Sequence, residues 1–173
     1  MVVADLKYEA ALETARQSEA CATSTGFKAL PITVDVTDRS SVDNMVNSTV
    51  QAFGRIDYNV NCAGVGVEKH LPVEDTDPDE MNRFWKVNVM GTLNCIQAVT
   101  KVMKEQSPMK VSIRGKERDA GRGVILNLGS CNSYMVTPHV TQYATKKHAV
   151  MGLTKNAGKT ENPFLIALSI YGG

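Results

Sequence analysis

The sequence has almost no net charge and no long apolar run. Its 173 residues carry 19 Lys and Arg against 18 Asp and Glu, a formal net charge of +1, so no charge excess favours nucleic acid or an anionic membrane as a partner. The longest apolar run, 164–168, is far shorter than the roughly 20 residues of a spanning helix. No basic segment or cleavage site for a secretory signal is visible near Met1, so we expect a cytoplasmic protein.

Cysteine pairs and metal-ligand clusters are also missing from the sequence. The four cysteines are widely spaced with no Cys-x-x-Cys pair, which predicts reduced, mostly buried thiols rather than disulfides. They are Cys21, Cys62, Cys95 and Cys131. The three histidines lie far from one another and from any cysteine pair, so no metal site is predicted. With 43% hydrophobic residues, the length suits one globular domain with a sizeable core.

Strand-like and helix-like patterns alternate along the chain. Strands are predicted over 2–5, 30–36, 58–63, 124–128 and 164–170, and helices over 9–22, 38–53, 77–104 and 140–157. Asp38 and Asp77 are predicted N-caps, Glu80 would complete a capping box, and Gly54 is a predicted C-cap. The basic stretch 106–122 is predicted to be an exposed loop. This alternation predicts an α/β domain with a doubly wound parallel sheet.

The residues best suited to chemistry lie near the end of this pattern. Tyr143 and Lys147 stand four residues apart in a predicted helix, so they share one face. A lysine ammonium beside a phenol favours the phenolate and lowers the phenol pKa from about 10, which makes Tyr143 a candidate proton donor or acceptor for a carbonyl/alcohol pair. Ser130 follows a predicted strand, at the edge where doubly wound sheets bind ligands. A solvated surface pair would be the commoner interpretation of Tyr143 and Lys147 alone.

With these residues in view, the sequence resembles the short-chain dehydrogenase/reductase family. Asn61–Gly64 reads Asn-Cys-Ala-Gly and resembles the family's Asn-Asn-Ala-Gly, with Cys62 replacing the second Asn. Segment 87–91 resembles the one that carries the family's catalytic asparagine, and 126–130 the strand that ends in its catalytic serine. Segment 129–134 is most similar to fungal members. The resemblance extends to about residue 157.

The resemblance implies a catalytic set of Asn88, Ser130, Tyr143 and Lys147. Tyr143 would be the general acid/base and Ser130 would hold the substrate oxygen. Lys147 would lower the pKa of Tyr143 and bind the nicotinamide ribose, and Asn88 would hold a water in a proton relay through Lys147. Such a site interconverts a small-molecule ketone and a secondary alcohol with NAD(H) or NADP(H).

The resemblance also implies where the cofactor would bind. The implied contacts are Asp5, Asp35, Val36, Asn61, Ala63, Gly64, Tyr143 and Lys147. Asp5 would bind the adenine ribose hydroxyls, which favours NAD over NADP, and Asp35 with Val36 would lie against the adenine ring. Plainer structural roles stay open: Asn88 as a helix-bend residue, Ser130 as a turn residue, and Asp5 as a strand-end cap.

The sequence departs from the family pattern at both ends. No Gly-x-x-x-Gly-x-Gly segment precedes Val2, so the expectation is a single incomplete Rossmann-like domain over 1–173, lacking the first βα unit, the substrate lid and the last strand. Residues 164–170 could supply the family's sixth strand, with Gly172 near its Pro-Gly turn. The family's first strand is central, so either a gap opens in the sheet or its neighbours pair across it.

Two other functions stay open on the sequence. The chain could be redox-inactive and catalyse acid/base chemistry such as isomerisation or cyclisation, because Tyr143 could protonate a carbonyl without hydride transfer. It could also dock on a homologue or on a second copy through helices 82–104 and 140–157. The opposing interpretation is that the apolar residues of these helices are core residues. They are Phe84, Val87, Leu93, Ile96, Val150 and Leu153.

Overall fold

Parallel strands alternate with helices in the computed structural model, which describes residues 1–66, 69–160 and 165–169. The strands are β1 (Val2–Asp5), β2 (Leu30–Thr33), β3 (Tyr58–Asn61), β4 (Lys110–Ile113), β5 (Lys116–Asp119), β6 (Val124–Leu128) and β7 (Leu165–Ser169). The helices are α1 (Tyr8–Ala20), α2 (Arg39–Phe53), α3 (Pro78–Phe84), α4 (Gly91–Glu105) and α5 (Thr141–Thr160). The predicted strand 164–170 is confirmed over β7, while its two end residues and Gly172 lie outside the described residues.

Helix α2 begins and ends where the sequence predicts. The Asp38 carboxylate accepts a hydrogen bond of 2.9 Å from the amide of Ser40, and Gly54 ends the helix at φ 79°, a conformation that costs glycine little. Asp77 caps α3 in the same way, through the amide of Asp79. Glu80 differs from the prediction, because its carboxylate accepts from the side chain of Gln142 rather than closing a capping box.

The predicted helix 77–104 is interrupted. A π-helical segment, Trp85–Met90, joins α3 to α4 and contains Asn88. Such segments carry one extra residue in a turn and occur often at functional sites. Directly after it, Gly91 lies so close to Val36 that a Cβ on the glycine would stand 2.6 Å from the Val36 Cγ2 atom. This contact sets where α4 begins against the loop that follows β2.

The parallel strands form two separate groups. Strands β1 and β2 pair with Val2 opposite Leu30, and β3, β6 and β7 form a second sheet in which Val124 lies opposite both Tyr58 and Leu165. No ladder joins β1 to β3 in the described part of the chain. Of the two outcomes that the sequence left open, the gap is the one observed. The predicted incomplete Rossmann-like α/β fold is confirmed.

One buried cluster connects the two groups of strands. It draws on the end of β2, on α2 and α4, and on β6 and α5, and it joins residues from both sides of the gap. Its members are Val34, Val42, Val46, Ile56, Cys95, Ile96, Ala98, Val99, Met103, Ile125 and Ala157. Phe84 and Val150 are also buried within the chain. These burials favour the core interpretation of the long helices over a free docking face.

Residues 106–122 contain a β-hairpin, and the prediction of a loop is wrong there. Strands β4 and β5 pair antiparallel, and Arg114 and Gly115 link them at φ 51° and 75°. Two successive residues at positive φ match the right-handed twist of a two-residue hairpin turn. The sequence hid this turn because arginine is an uncommon residue in that conformation.

The cysteines are less buried than predicted. Only Cys95 is buried, whereas Cys21, Cys62 and Cys131 are exposed. Burial raises the pKa of the Cys95 thiol to about 11, with the Arg39 charge acting weakly in the opposite direction. In the described ranges, no helix is long and apolar enough to cross a bilayer.

Candidate active site

Four loops at the carboxyl ends of parallel strands carry most of the predicted site residues. Asp5 ends β1 and Asp35 follows β2, while Asn61 ends β3 and Ser130 follows β6 by two residues. In an open α/β sheet the carboxyl edge is the side at which ligands bind. The parallel pairing of β1 with β2 therefore brings Asp5 and Asp35 to one edge, and that of β3 with β6 does the same for Asn61 and Ser130.

Tyr143 and Lys147 share one face of α5, as their spacing predicts. The Lys147 Nζ atom lies 5.8 Å from the centroid of the Tyr143 ring and donates a hydrogen bond of 2.8 Å to the carbonyl of Leu128, the last residue of β6. Burial lowers the pKa of Lys147. The hydrogen bond fixes the lysine between the strand end and the tyrosine.

Ser130 is held at the end of β6 by its own turn. It is only 7% exposed, and its Oγ accepts a hydrogen bond of 3.2 Å from the amide of Asn132. The hydroxyl of Ser133 accepts in return from the Ser130 amide at 3.2 Å. Ser130 thus has the turn role that the sequence left open, and this turn fixes its hydroxyl near the strand end.

Asn88 contacts the loop after β3 through both atoms of its amide. Its Oδ1 accepts from the amide of Val65 at 3.2 Å, and its Nδ2 donates to the Val65 carbonyl at 3.4 Å. Gly64 lies against this amide, so a Cβ at Gly64 would stand 2.7 Å from the Asn88 Nδ2 atom. A larger residue at this position would therefore displace the asparagine amide.

A small cavity lies among these residues. Its volume is about 30 Å³, which is room for about one water molecule. The lining residues are Asn61, Cys62, Ala63, Gly64, Asn88, Thr92, Leu128, Lys147 and Val150. Asn88 and Lys147 therefore line one space of the size that a bridging water needs.

The two carboxylates predicted to bind adenosine make only local hydrogen bonds. The Asp5 carboxylate accepts from the amide of Lys7 at 2.8 Å, which is the capping role left open by the sequence. The Asp35 carboxylate accepts from the amide and hydroxyl of Thr37 at 2.9 and 2.8 Å. The Val36 carbonyl accepts from Asn94 of α4 at 2.9 Å, which ties this loop to the helix that follows Asn88.

Lys146 is a site residue that sequence reasoning missed. It is 2% exposed, and its Nζ lies 4.3 Å from the centroid of the Phe84 ring and 4.4 Å from that of Tyr143. It also donates to the carbonyl of Val65. Burial, then the charges of Lys147 and Arg83, lower the pKa of Lys146 to about 7. The signal in the sequence was its spacing of three from Tyr143, which also places two residues on one helix face.

A buried chain of polar side chains behind the site was missed as well. Asn61 donates to Asn127 at 2.8 Å, and Asn127, which is fully buried, donates to Thr154 of α5 at 2.9 Å. The signal for it was an asparagine inside the otherwise apolar strand β6. No three His, Cys, Asp or Glu side chains cluster as metal ligands would in the residues that the structure describes.

Comparison with known proteins identifies the family of this chain. The sequence profile described as short chain dehydrogenase matches residues 1–170. The chain is 62% identical over 157 residues to the short-chain dehydrogenase anuF of Penicillium roqueforti, covering 91% of this chain and 57% of that protein. It is 40% identical over 157 residues to the short-chain dehydrogenase fogB of Aspergillus ruber, covering 91% and 58%.

Solved structures give the same result. An NAD⁺-bound xylitol dehydrogenase superposes with a TM-score of 0.83 at 25% identity, covering 99% of this chain and 59% of that one. A gluconate 5-dehydrogenase from Burkholderia cenocepacia, in complex with NADP and tartrate, gives 0.77 at 25% identity, covering 99% and 60%. The fold is therefore that of a Rossmann-type α/β protein. The chain belongs to the short-chain dehydrogenase/reductase family, and it spans a little under three fifths of the length of these two curated relatives.

Proposed function

We propose that this chain is the site-bearing part of an NAD(P)(H)-dependent oxidoreductase that interconverts a ketone and a secondary alcohol. The observation that carries the proposal is the position of Lys147, which is bonded to the end of β6 and faces Tyr143 on the same helix. Family membership supports it, since the relatives anuF and fogB are named short-chain dehydrogenases.

In this proposal Tyr143 transfers the proton and Ser130 binds the reacting oxygen. During reduction the Tyr143 hydroxyl gives its proton to the oxygen that develops negative charge, and the Ser130 hydroxyl donates a hydrogen bond to the same oxygen. Lys147 stabilises the phenolate that remains on Tyr143, because its ammonium lies within 6 Å of the ring. Oxidation of the alcohol runs the same proton transfer in reverse.

The lost proton would be replaced through Lys147 and a water molecule. The cavity of about 30 Å³ that Asn88 and Lys147 both line supports this relay, because it has room for about one water. Asn88 would hold that water, and the close approach of Gly64 supports a fixed orientation of its amide. The water would take up a proton from solvent and donate it to Lys147, which would pass its own proton to the Tyr143 phenolate; during oxidation of the alcohol the same relay would run outward.

The residues present fit a nicotinamide dinucleotide at this edge. When bound, the cofactor would supply or accept the hydride. Lys147 and Tyr143 would bind its nicotinamide ribose, Asn61, Ala63 and Gly64 would line its path, and Asp35 with Val36 would lie by the adenine. Asp5 is exposed and uses one carboxylate oxygen for its turn. A carboxylate there would accept from ribose hydroxyls and repel a 2′-phosphate, so we propose NAD(H) over NADP(H).

The test is a titration of the purified 173-residue chain with NADH and NADPH, followed by fluorescence and melting temperature. We expect saturable NADH binding that raises the melting temperature, weaker NADPH binding, and NADH-dependent turnover of a ketone panel. Tyr143→Phe should lose turnover by on the order of 10² to 10⁴ and keep NADH binding. Tyr134→Phe is the matched control, because Tyr134 is 55% exposed. A folded chain that binds neither nucleotide would contradict the proposal.

Cofactor-independent acid/base catalysis is the second candidate. The gap between β1 and β3 favours it, because an open sheet gives a dinucleotide less support than a continuous one. Isomerisation or cyclisation would then depend on Tyr143 and be indifferent to NADH. The same variants therefore separate the two candidates: both lose activity in Tyr143→Phe, and only the oxidoreductase responds to the nucleotide.

A further inference from the structure

Lys146 occupies an unusual position for a charged side chain. Its ammonium lies over two aromatic rings, 4.3 Å from the Phe84 centroid and 4.4 Å from the Tyr143 centroid. Phe84 is fully buried and Lys146 is 2% exposed. The Tyr143 ring is therefore closer to Lys146 than to Lys147, whose ammonium is 5.8 Å away.

The same ammonium also connects Tyr143 to the loop after β3. It donates to the carbonyl of Val65, and the amide and carbonyl of Val65 are the two groups that Asn88 contacts. One lysine thus joins α5, α3 and the loop that orients Asn88.

We propose that Lys146 is a positioning residue for Tyr143, which it holds against Phe84 and the Val65 loop through its protonated ammonium. The inference rests on the proposed function and adds to it a residue outside the Ser130, Tyr143, Lys147 and Asn88 set. The cation–π contacts require the charge, because a neutral amine has no comparable attraction to a ring face. Loss of the proton therefore releases the tyrosine ring.

The charge on Lys146 changes close to neutral pH. Burial and the positive charges of Lys147 and Arg83 lower its pKa to about 7, and the two ring faces act in the opposite direction. The Glu80 carboxylate of α3 contacts Arg83 at 3.9 Å and accepts a hydrogen bond from Gln142 of α5. The Tyr143 ring should therefore become less ordered as the pH rises through neutrality.

The test follows the Tyr143 ring by NMR with ¹³C-labelled tyrosine, from about pH 5.5 to about pH 9. The chain has five tyrosines, and the Tyr143 signal is assigned by its loss in Tyr143→Phe. We expect an inflection near neutral pH in the wild type that disappears in Lys146→Met. Lys146→Arg should keep the low-pH signal throughout, because arginine stays charged. Lys155→Met is the matched control, since exposed Lys155 lies 5.5 Å from the Tyr134 ring.

The accompanying kinetic readout is the pH profile of kcat/KM for ketone reduction. Below neutral pH, Lys146→Met should lower kcat/KM roughly tenfold, because the variant lacks the desolvated cation–π contact. At high pH, kcat/KM of the variant should approach that of the wild type. Lys146→Arg should restore the low-pH rate. A Tyr143 signal that responds to pH identically in the wild type and in Lys146→Met would overturn the inference.

Failure of the proposed function has a different signature. It is the absence of NADH binding and turnover in the wild type, and the NMR comparison still decides whether Lys146 orders Tyr143. If Lys146→Met does not fold, Phe84→Leu replaces it. Removal of one ring face should move the inflection to lower pH, and an unchanged inflection in Phe84→Leu would count against the inference.

Discussion

The carboxylates at the ends of β1 and β2 bond within their own turns, whereas Asn61 at the end of β3 and Lys146 beside the loop after β3 bond far along the chain. Asp5 and Asp35 each contact a group two residues away. Asn61 contacts Asn127, 66 residues away, and Lys146 contacts Val65, 81 residues away. The carboxylates proposed to bind adenosine are held locally, whereas the edge proposed to do the chemistry adds tertiary contacts to the local turn of Ser130. A catalytic geometry needs the second kind of support, because small displacements reduce rates sharply.

The largest expected effect comes from the buried charge of Lys146, at the edge proposed to do the chemistry. The unfolded lysine has a pKa of about 10.4, whereas that of folded Lys146 is about 7. The unfolded chain therefore binds more protons between these values, so stability rises with pH there. Relative to Lys146→Met, the wild-type free energy of unfolding should gain on the order of 3 kcal/mol from about pH 6.5 to about pH 10.

Urea unfolding of both proteins at the two pH values measures this gain. The lowered pKa of Lys147 gives a rise of the same sign in both, so only the difference between them reports on Lys146. Lys155→Met, which removes an exposed lysine, should behave as the wild type. Equal slopes in the wild type and in Lys146→Met would show that Lys146 is solvated.

The next largest effect is expected from closer packing around Asn88, at the edge proposed to do the chemistry. Gly64→Ala would place a Cβ 2.7 Å from the Asn88 Nδ2 atom and displace the amide. Displacement of the Asn88 amide should lower kcat/KM about 100-fold, which corresponds to a rise of roughly 2.7 kcal/mol in the activation free energy. Gly66→Ala is the control, because a Cβ there would meet nothing within 4 Å. Equal kinetics for the two alanine variants would remove the requirement for Asn88.

A smaller effect is expected behind the edge. Asn127→Ala leaves Asn61 and Thr154 without their shared partner in a fully buried place, which should lower the free energy of unfolding by about 2 kcal/mol. Asn59→Ala removes one bond to the half-buried Asn61 and should cost less than about 1 kcal/mol. Chemical denaturation compares the two, and a larger loss for Asn59→Ala would reverse the expected ranking.

The smallest effect, on nucleotide binding, is expected at the edge proposed to bind adenosine. Asp5→Asn keeps an oxygen for the Lys7 amide and removes only the charge, so stability should be unchanged. NADH should bind about fivefold more weakly, roughly 1 kcal/mol, and the preference over NADPH should narrow. Titration with both nucleotides checks this. A variant that binds them as the wild type does would assign Asp5 to its turn alone.

The sequence predicted the elements well wherever local signals decide them. The caps at Asp38 and Gly54 and the strand over 124–128 needed only local rules of hydrogen bonding and periodicity. The shared face of Tyr143 and Lys147 followed from helical spacing in the same way. The roles of these residues remain predictions.

The sequence did not predict the features that depend on tertiary packing. The π-helical segment around Asn88 carries no residue signal, since it differs from an α-helix only by one inserted position. The burial of Lys146 opposes the usual behaviour of lysine, and only the neighbouring Phe84 and Tyr143 rings explain it. The hairpin turn at Arg114 was missed for a local reason, because its backbone conformation is rare for arginine.

The π-helical segment also sets a rule for how this chain can vary. One added residue turns the following helix by about 100° relative to an uninterrupted one. The buried face of α4, with Cys95, Val99 and Met103, depends on that offset, while Phe84 before it faces α5. A deletion of one residue within Trp85–Met90 would restore a regular helix and rotate α4 out of the core. For the fold alone, chains with this core should therefore tolerate substitutions at the exposed positions of the segment far better than changes in its length.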